Sequence, residues 1–207
     1  MKILLVFIIG FSLVLTGCAN KNVNTENNKD YSAERLSISD GGPSPTTQST
    51  PTPIPEEPLA SFSTNILVKE PDRQNNITIA CNALNGFIVK SGETFSFCNT
   101  LGPARPEDGY EKANSFDANG NTIQAYGGGK CQISTTLYNA VLQAPNLTVV
   151  ERHEHSASVY YVPDGMDACV AYGSCDFQFR NDNNFDIKMY VSNTPDTIDV
   201  SLVKISS

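Results

Sequence analysis

The sequence predicts an α+β fold, a mostly antiparallel β-sheet packed with two main helices, and three patterns carry that prediction. Two segments space their apolar residues at helical intervals: Ile77, Ala80, Cys81 and Leu84 in the first, then Ile133, Leu137, Ala140, Val141 and Ala144 in the second. The C-terminal stretch breaks into the alternating runs "DFQFR", "FDIKMYV" and "TIDVSLV", separated by the turn-formers "NDNN" and "SNTPD". No repeat is visible, and residues 60–207 are enough for one domain with a real core.

What precedes that domain reads as export and attachment. The apolar run Ile3–Leu15 is short for a bilayer, which wants about 20 apolar residues, but suits a signal-peptide core. It ends in Leu15, Thr16, Gly17 and Cys18, which resembles the bacterial lipobox. Residues 1–17 are then the signal peptide, and Cys18 is the lipid attachment site that holds the protein to the extracytoplasmic face of the cell membrane. Residues 18–59 are rich in Asn, Ser, Thr and Pro and have almost nothing to bury, so a disordered tether is expected.

Within the domain, "SFSTNILVKEP" reads as an extended lead-in, and Arg73–Asn85 as a helix stopped by Asn85 and Gly86. "GFIVKSGETFSF" gives two short strands about the turn Lys90–Glu93. "TLGPARPEDGYEKANSF" is too broken for a regular element and is expected on the surface near the site. The second helix follows Cys131 and is closed by Pro145 and Asn146. "LTVVERHEHSASVYYVP" is β-branched and aromatic enough for one long or two short strands, ahead of the C-terminal meander.

A net charge of −8 leaves no basic face for phosphates, which excludes nucleic acid as a partner. In an exported chain the cysteines divide by arithmetic. Cys18 goes to lipid; Cys169 and Cys175 flank the turn "VAYGS", and Cys81 and Cys98 bracket a helix end and strand pair, so two local disulfides are drawn, the alternative being that all are reduced. Cys131 is the odd one out.

The stretch "AYGGGKCQISTTLYNA" places Gly127, Gly128 and Gly129 just before Cys131, at a helix start. A glycine nest and a helix N-terminus together lower a thiol pKa and can hold an oxyanion, with Gln132 and Ser134 on the same turn as further substrate-side candidates. The chain holds two histidines, His153 and His155, in "ERHEHS". On a regular strand they share one face, so either can serve as the base for Cys131. Asp167, in "DGMDA", is the carboxylate placed to fix the imidazole. A zinc set built from the two histidines with a cysteine or Asp167 is the competing reading; neither HExxH nor a paired CxxC supports it, and no metal or other cofactor is expected.

The motifs "GETFSF", "GGGKCQISTTLYNA", "ERHEHS", "YVPDGMDACV" and "DFQFRN", in that order from about Phe62 to about Val191, resemble the VanW domain, a family named from a protein of vancomycin-resistance clusters. The resemblance implies peptidoglycan L,D-transpeptidation, a cysteine acyl transfer on cell-wall stem peptides. Cys131 would be its nucleophile and His155 the first choice of base. Departures are Lys130, where an aliphatic residue is commoner, and Cys98 and Cys169, where Asn and Thr are common. Two other functions stay open: a non-catalytic wall-binding or glycopeptide-resistance accessory lipoprotein, and a zinc-dependent wall peptidase.

Overall fold

The computed structural model describes residues 58–117 and 119–205. The predicted signal peptide, Cys18 and the tether as far as residue 57 lie outside the described residues. Pro58 and Leu59, expected at the end of the tether, open strand β1 (Pro58–Asn65) instead. No helix among the described residues is long and apolar enough to cross a membrane.

Helix α1 (Pro71–Leu84) begins on proline, which suits a first turn whose N–H groups have no helical partner, and buries Ile77, Ala80, Cys81 and Leu84. Strands β2 (Ile88–Val89) and β3 (Thr94–Ser96) follow, then a short helix α2 (Phe97–Leu101) capped by Ser96, whose Oγ accepts the Asn99 N–H at 3.1 Å. The described residues therefore form three helices where two main ones were expected. After a 3-10 turn (Pro106–Asp108) comes a hairpin, β4 (Lys112–Phe116) and β5 (Thr122–Tyr126), partly in the stretch read as irregular. Its tip is organised by Asp117, whose Oδ1 accepts the N–H groups of Asn119 and Asn121, each at 2.8 Å.

Helix α3 (Lys130–Gln143) leads to β6 (Leu147–Glu151), β7 (Gln178–Asn181), β8 (Asp186–Asn193) and β9 (Thr197–Ile205). All the strand pairs are antiparallel. They form sheets ordered β1-β9-β8-β2, β3-β7-β6 and β4-β5. The C-terminal runs are thus split: β8 and β9 form a hairpin, while β7 leaves for the second sheet between β3 and β6. Likewise β2 pairs with β8 and β3 with β7, so the two strands about Lys90–Glu93 belong to different sheets. Alternation fixes which face of a strand is buried but not its partner. Ile77, Leu84, Ile133, Leu137, Phe177, Phe179, Met189 and Leu202 are fully buried between α1, α3 and the sheets. Each such side chain removed from water is worth about 1.5–3 kcal/mol.

Neither expected disulfide is present, and all five cysteines of the described residues are free. Cys81 is sealed in the core on α1, and the Cys98 thiol donates to the Cys175 carbonyl at 3.4 Å. Both thiols are pushed up to about 12, chiefly by burial, helped by Asp199 at Cys81 and by Asp176 at Cys98. The Cys169 and Cys175 sulfurs are 3.6 Å apart, in contact but well beyond the bonded separation of about 2.05 Å.

Candidate active site

The site is built on α3, a helix that is buried along most of its length and carries polar residues on two of its faces. Toward β1, Gln132 Nε2 donates to Thr64 Oγ1 at 3.1 Å and to the Asn65 carbonyl at 3.0 Å, and the hydroxyls of Thr136 and Thr64 are 2.8 Å apart. Toward the segment after the Gly165 turn, Ser134 Oγ donates to the Ala168 carbonyl at 2.6 Å, Thr135 Oγ1 accepts the Ala168 N–H at 3.0 Å, and Asn139 Nδ2 donates to the Met166 carbonyl at 2.8 Å. These bonds satisfy a buried backbone that no sheet reaches. They also hold residues 166–170 against Cys131, the second residue of the helix. Gln132 and Ser134, expected on the substrate side, both make these bonds, and Gln132 also lines the cleft at Cys131.

The same segment holds the histidine loop. The Cys169 N–H donates to the His153 carbonyl at 2.8 Å, Arg152 Nε to the Asp167 carbonyl at 2.6 Å, and the His155 N–H to Asp167 Oδ2 at 2.7 Å. Strand β6 ends at Glu151 after a register shift, and residues 152–155 run irregularly. The two histidines therefore do not share a face. His153 is 47% exposed and pairs with Glu151 at 2.8 Å, away from the thiol. His155 is 5% exposed in its side chain, with Nδ1 2.5 Å from Asp167 Oδ2, which leaves Nε2 for the thiol. Arg152 donates to the other Asp167 oxygen at 3.0 Å.

Cys131, His155 and Asp167 are thus brought together. The Cys131 thiol is held well below its ordinary value: the Cys169 thiol hydrogen-bonds it, burial opposes, and His155 adds a hydrogen bond and its charge. The Val170 N–H points at the sulfur from 3.5 Å. For His155 burial favours the neutral ring, but Cys131 and Asp167 outweigh it and raise its pKa. Asp167 is lowered although burial opposes it, because His155 bonds it through both backbone and ring. Both directions favour a thiolate facing an imidazolium, the pairing that a cysteine nucleophile would need.

The glycines have a packing reason before any chemical one. A Cβ at Gly128 would lie 2.8 Å from the Asn114 carbonyl oxygen, and one at Gly129, where φ is +116°, 2.8 Å from Ile77 Cγ1. The Gly127 N–H already donates to the Glu111 carbonyl at 3.3 Å, and the Lys130 and Gln132 N–H groups to Gly127 and Gly129. Of the predicted oxyanion donors this leaves Gly128 and Gly129, together with the Cys131 N–H at the first turn of α3. Lys130, expected to favour the thiolate, sends its amine to the Gly102 carbonyl at 2.9 Å and over the Tyr110 ring.

Cys131 opens into a cleft of about 610 Å³ between α3, the β4-β5 hairpin and the loops carrying His155 and Cys169. Phe116, Ile123, Tyr126, Tyr160 and Tyr172 are exposed along it. Two of its residues escaped sequence reasoning. Arg73 is 7% exposed, donates through one nitrogen to Gln132 Oε1 at 2.9 Å, and has no partner for its buried Nε. Tyr161 also lines it, and burial raises its phenol pKa. A helix arginine or a loop tyrosine leaves no local signal; only the fold brings them to the thiol. The zinc set drawn from the histidine pair does not assemble, because His153 is turned away. Cys131, His155 and Cys169 do place one donor atom each within 4.8 Å of one another.

A family model described as "VanW like protein" matches residues 72–203. Over 131 residues the chain is 37% identical to the Bacillus subtilis (strain 168) protein named "Uncharacterized protein YoaR", covering 63% of this chain and 43% of that one. Over 131 residues it is 30% identical to the "Vancomycin B-type resistance protein VanW" of Enterococcus faecalis, covering 61% of this chain and 47% of that one. The chain therefore spans less than half the length of these curated relatives. No solved structure matches.

Proposed function

The chain belongs to the VanW-like family, and from that premise we propose that its domain is a cysteine acyltransferase of the L,D-transpeptidase type, acting on peptidoglycan stem peptides. One observation carries the reading: Asp167 bonds His155 Nδ1 at 2.5 Å, and the other side of the ring lies within 4.8 Å of the Cys131 sulfur, where the cleft opens. In the proposed reaction the Cys131 thiolate attacks the carbonyl that joins the L-centre of a stem peptide's diamino acid to D-Ala. The developing oxyanion takes the N–H groups at the start of α3. As the C–N bond breaks, His155 gives its Nε2 proton to the departing D-Ala amine, leaving a thioester on Cys131. The side-chain amine of a second stem then attacks, His155 takes its proton, and the new amide is the cross-link; water in place of the amine gives trimming. Asp167 keeps the ring oriented and favours the imidazolium.

Arg73, with its unpartnered buried Nε, offers a positive group for the terminal carboxylate of the donor, and the aromatic rim suits an extended peptide. With Cys18 lipidated and residues 18–57 as tether, the domain would work at the outer face of the cytoplasmic membrane. An accessory role in glycopeptide resistance draws on the relative's name and leaves the ion pair without a task. Cys131→Ala incubated with a disaccharide tetrapeptide tests the proposal. Loss of both cross-linked and trimmed products is expected, and retained product would overturn it.

A further inference from the structure

Cys169 is not needed for an Asp-His-Cys line, yet its sulfur lies beside the nucleophile. Cys131 Sγ, Cys169 Sγ and a ring nitrogen of His155 are all within 4.8 Å of one another. The His155 nitrogen bonded to Asp167 is Nδ1, so the third donor is Nε2. Around a tetrahedral zinc ion, with Zn–S about 2.3 Å and Zn–N about 2.0–2.1 Å, such donors stand about 3.6–3.8 Å apart. Small rotations of two cysteine side chains close the difference. Two thiolates and an imidazole neutralise a divalent charge, and they are the borderline-soft donors that select zinc over magnesium or calcium.

The surroundings complete the set. Asp167 bonds Nδ1 and is itself held by Arg152 at 3.0 Å, the carboxylate–histidine support that fixes a metal-binding imidazole. The three donors line the cleft, so a fourth position faces open space where water or another ligand fits. His153 and Glu151 pair with each other elsewhere.

We propose that this chain has a zinc site formed by Cys131 Sγ, Cys169 Sγ and His155 Nε2, with its fourth position open to the cleft. Binding displaces the Cys169 thiol proton and the Nε2 proton of His155 to solvent, and ties up both the Cys131 lone pair and the nitrogen that would move protons in acyl transfer. Zinc and the acyl donor therefore exclude each other, and zinc acts as a reversible block. The site needs no wall substrate, so it stands or falls apart from the acyl-transfer reading.

Cobalt(II), a spectroscopic stand-in for zinc, tests it on metal-free protein kept reduced by a phosphine. The expected result is thiolate-to-cobalt charge transfer and tetrahedral visible bands that saturate at one equivalent and are erased by zinc. Cys169→Ser and His155→Ala should each weaken binding at least about tenfold, while His153→Ala should bind as the wild type does. No charge-transfer band in the wild type, or an unchanged one in Cys169→Ser, would overturn the proposal. X-ray absorption of the zinc-loaded wild type gives an answer that depends on no variant folding: two sulfur scatterers support the site, and a shell of oxygen and nitrogen alone contradicts it.

Discussion

The Cys131 sulfur is pulled two ways, since burial favours the neutral thiol while the Cys169 thiol, His155 and the Val170 N–H favour the thiolate, and the second group prevails. An ordinary thiol ionises near about 8.5, so alkylation of Cys131 by iodoacetamide should stay fast well below that pH. With its pKa lowered and that of His155 raised, the ion pair exists above the first and below the second. Asp167→Asn removes an anion from the imidazolium and should move the upper limit of that window to lower pH, while His155→Ala should move the thiol's midpoint up. Peptide-level mass spectrometry of alkylated protein across a pH series reads both shifts; profiles identical to the wild type would count against the ion pair. Loss of His155 as acid and base should also lower kcat by roughly 10²–10⁴-fold.

Helix α3 joins two tasks, carrying the thiol at its start and binding the strandless segment 166–170 with its polar side chains. Its entry is fixed by glycine at a backbone angle that side chains rarely adopt. Gly129→Ala should therefore destabilise the domain by about 1–3 kcal/mol, read as a lower urea midpoint; an unchanged midpoint would mean that α1 gives way easily at Ile77. Helices α1 and α3 were legible because their apolar spacing is a local property. Strand partners were not: the runs at β2, β3 and β7 were visible, but pairing across most of the chain decides which sheet each joins. The β4-β5 hairpin was hidden by the glycines and prolines before it, although "DANGN" at its tip carries a turn signal. The alternation in "ERHEHS" suggested a strand, yet the ladder stops at Glu151, so one histidine reaches the thiol and the other faces solvent. Of the expected cysteine pairs, Cys169 and Cys175 do meet, unbonded, whereas Cys98, assigned to Cys81 on closeness in sequence, turns its thiol to the Cys175 carbonyl.

Across the described domain the first strand and the last are partners: β1 runs antiparallel to β9, and Thr64 and Asn65 bind Thr136 and Gln132 of α3. Strand β1 lies outside the residues matched by the family model, which begin at 72. A protein starting at Pro71 would leave β9 as a bare apolar edge and strip α3 of those hydrogen bonds. It should unfold at a lower temperature than one starting at Thr50, or aggregate; equal melting of the two would show β1 to be dispensable. The whole arrangement, with sheets and helices holding the His155 and Cys169 loops against one thiol, has acyl transfer as its proposed purpose. Intact-protein mass spectrometry during turnover of a disaccharide tetrapeptide tests that most directly. A transient adduct equal to the donor less D-Ala is expected, mapped to Cys131 and absent from Cys131→Ala. Turnover with no adduct on Cys131, or an adduct on another residue, would contradict it.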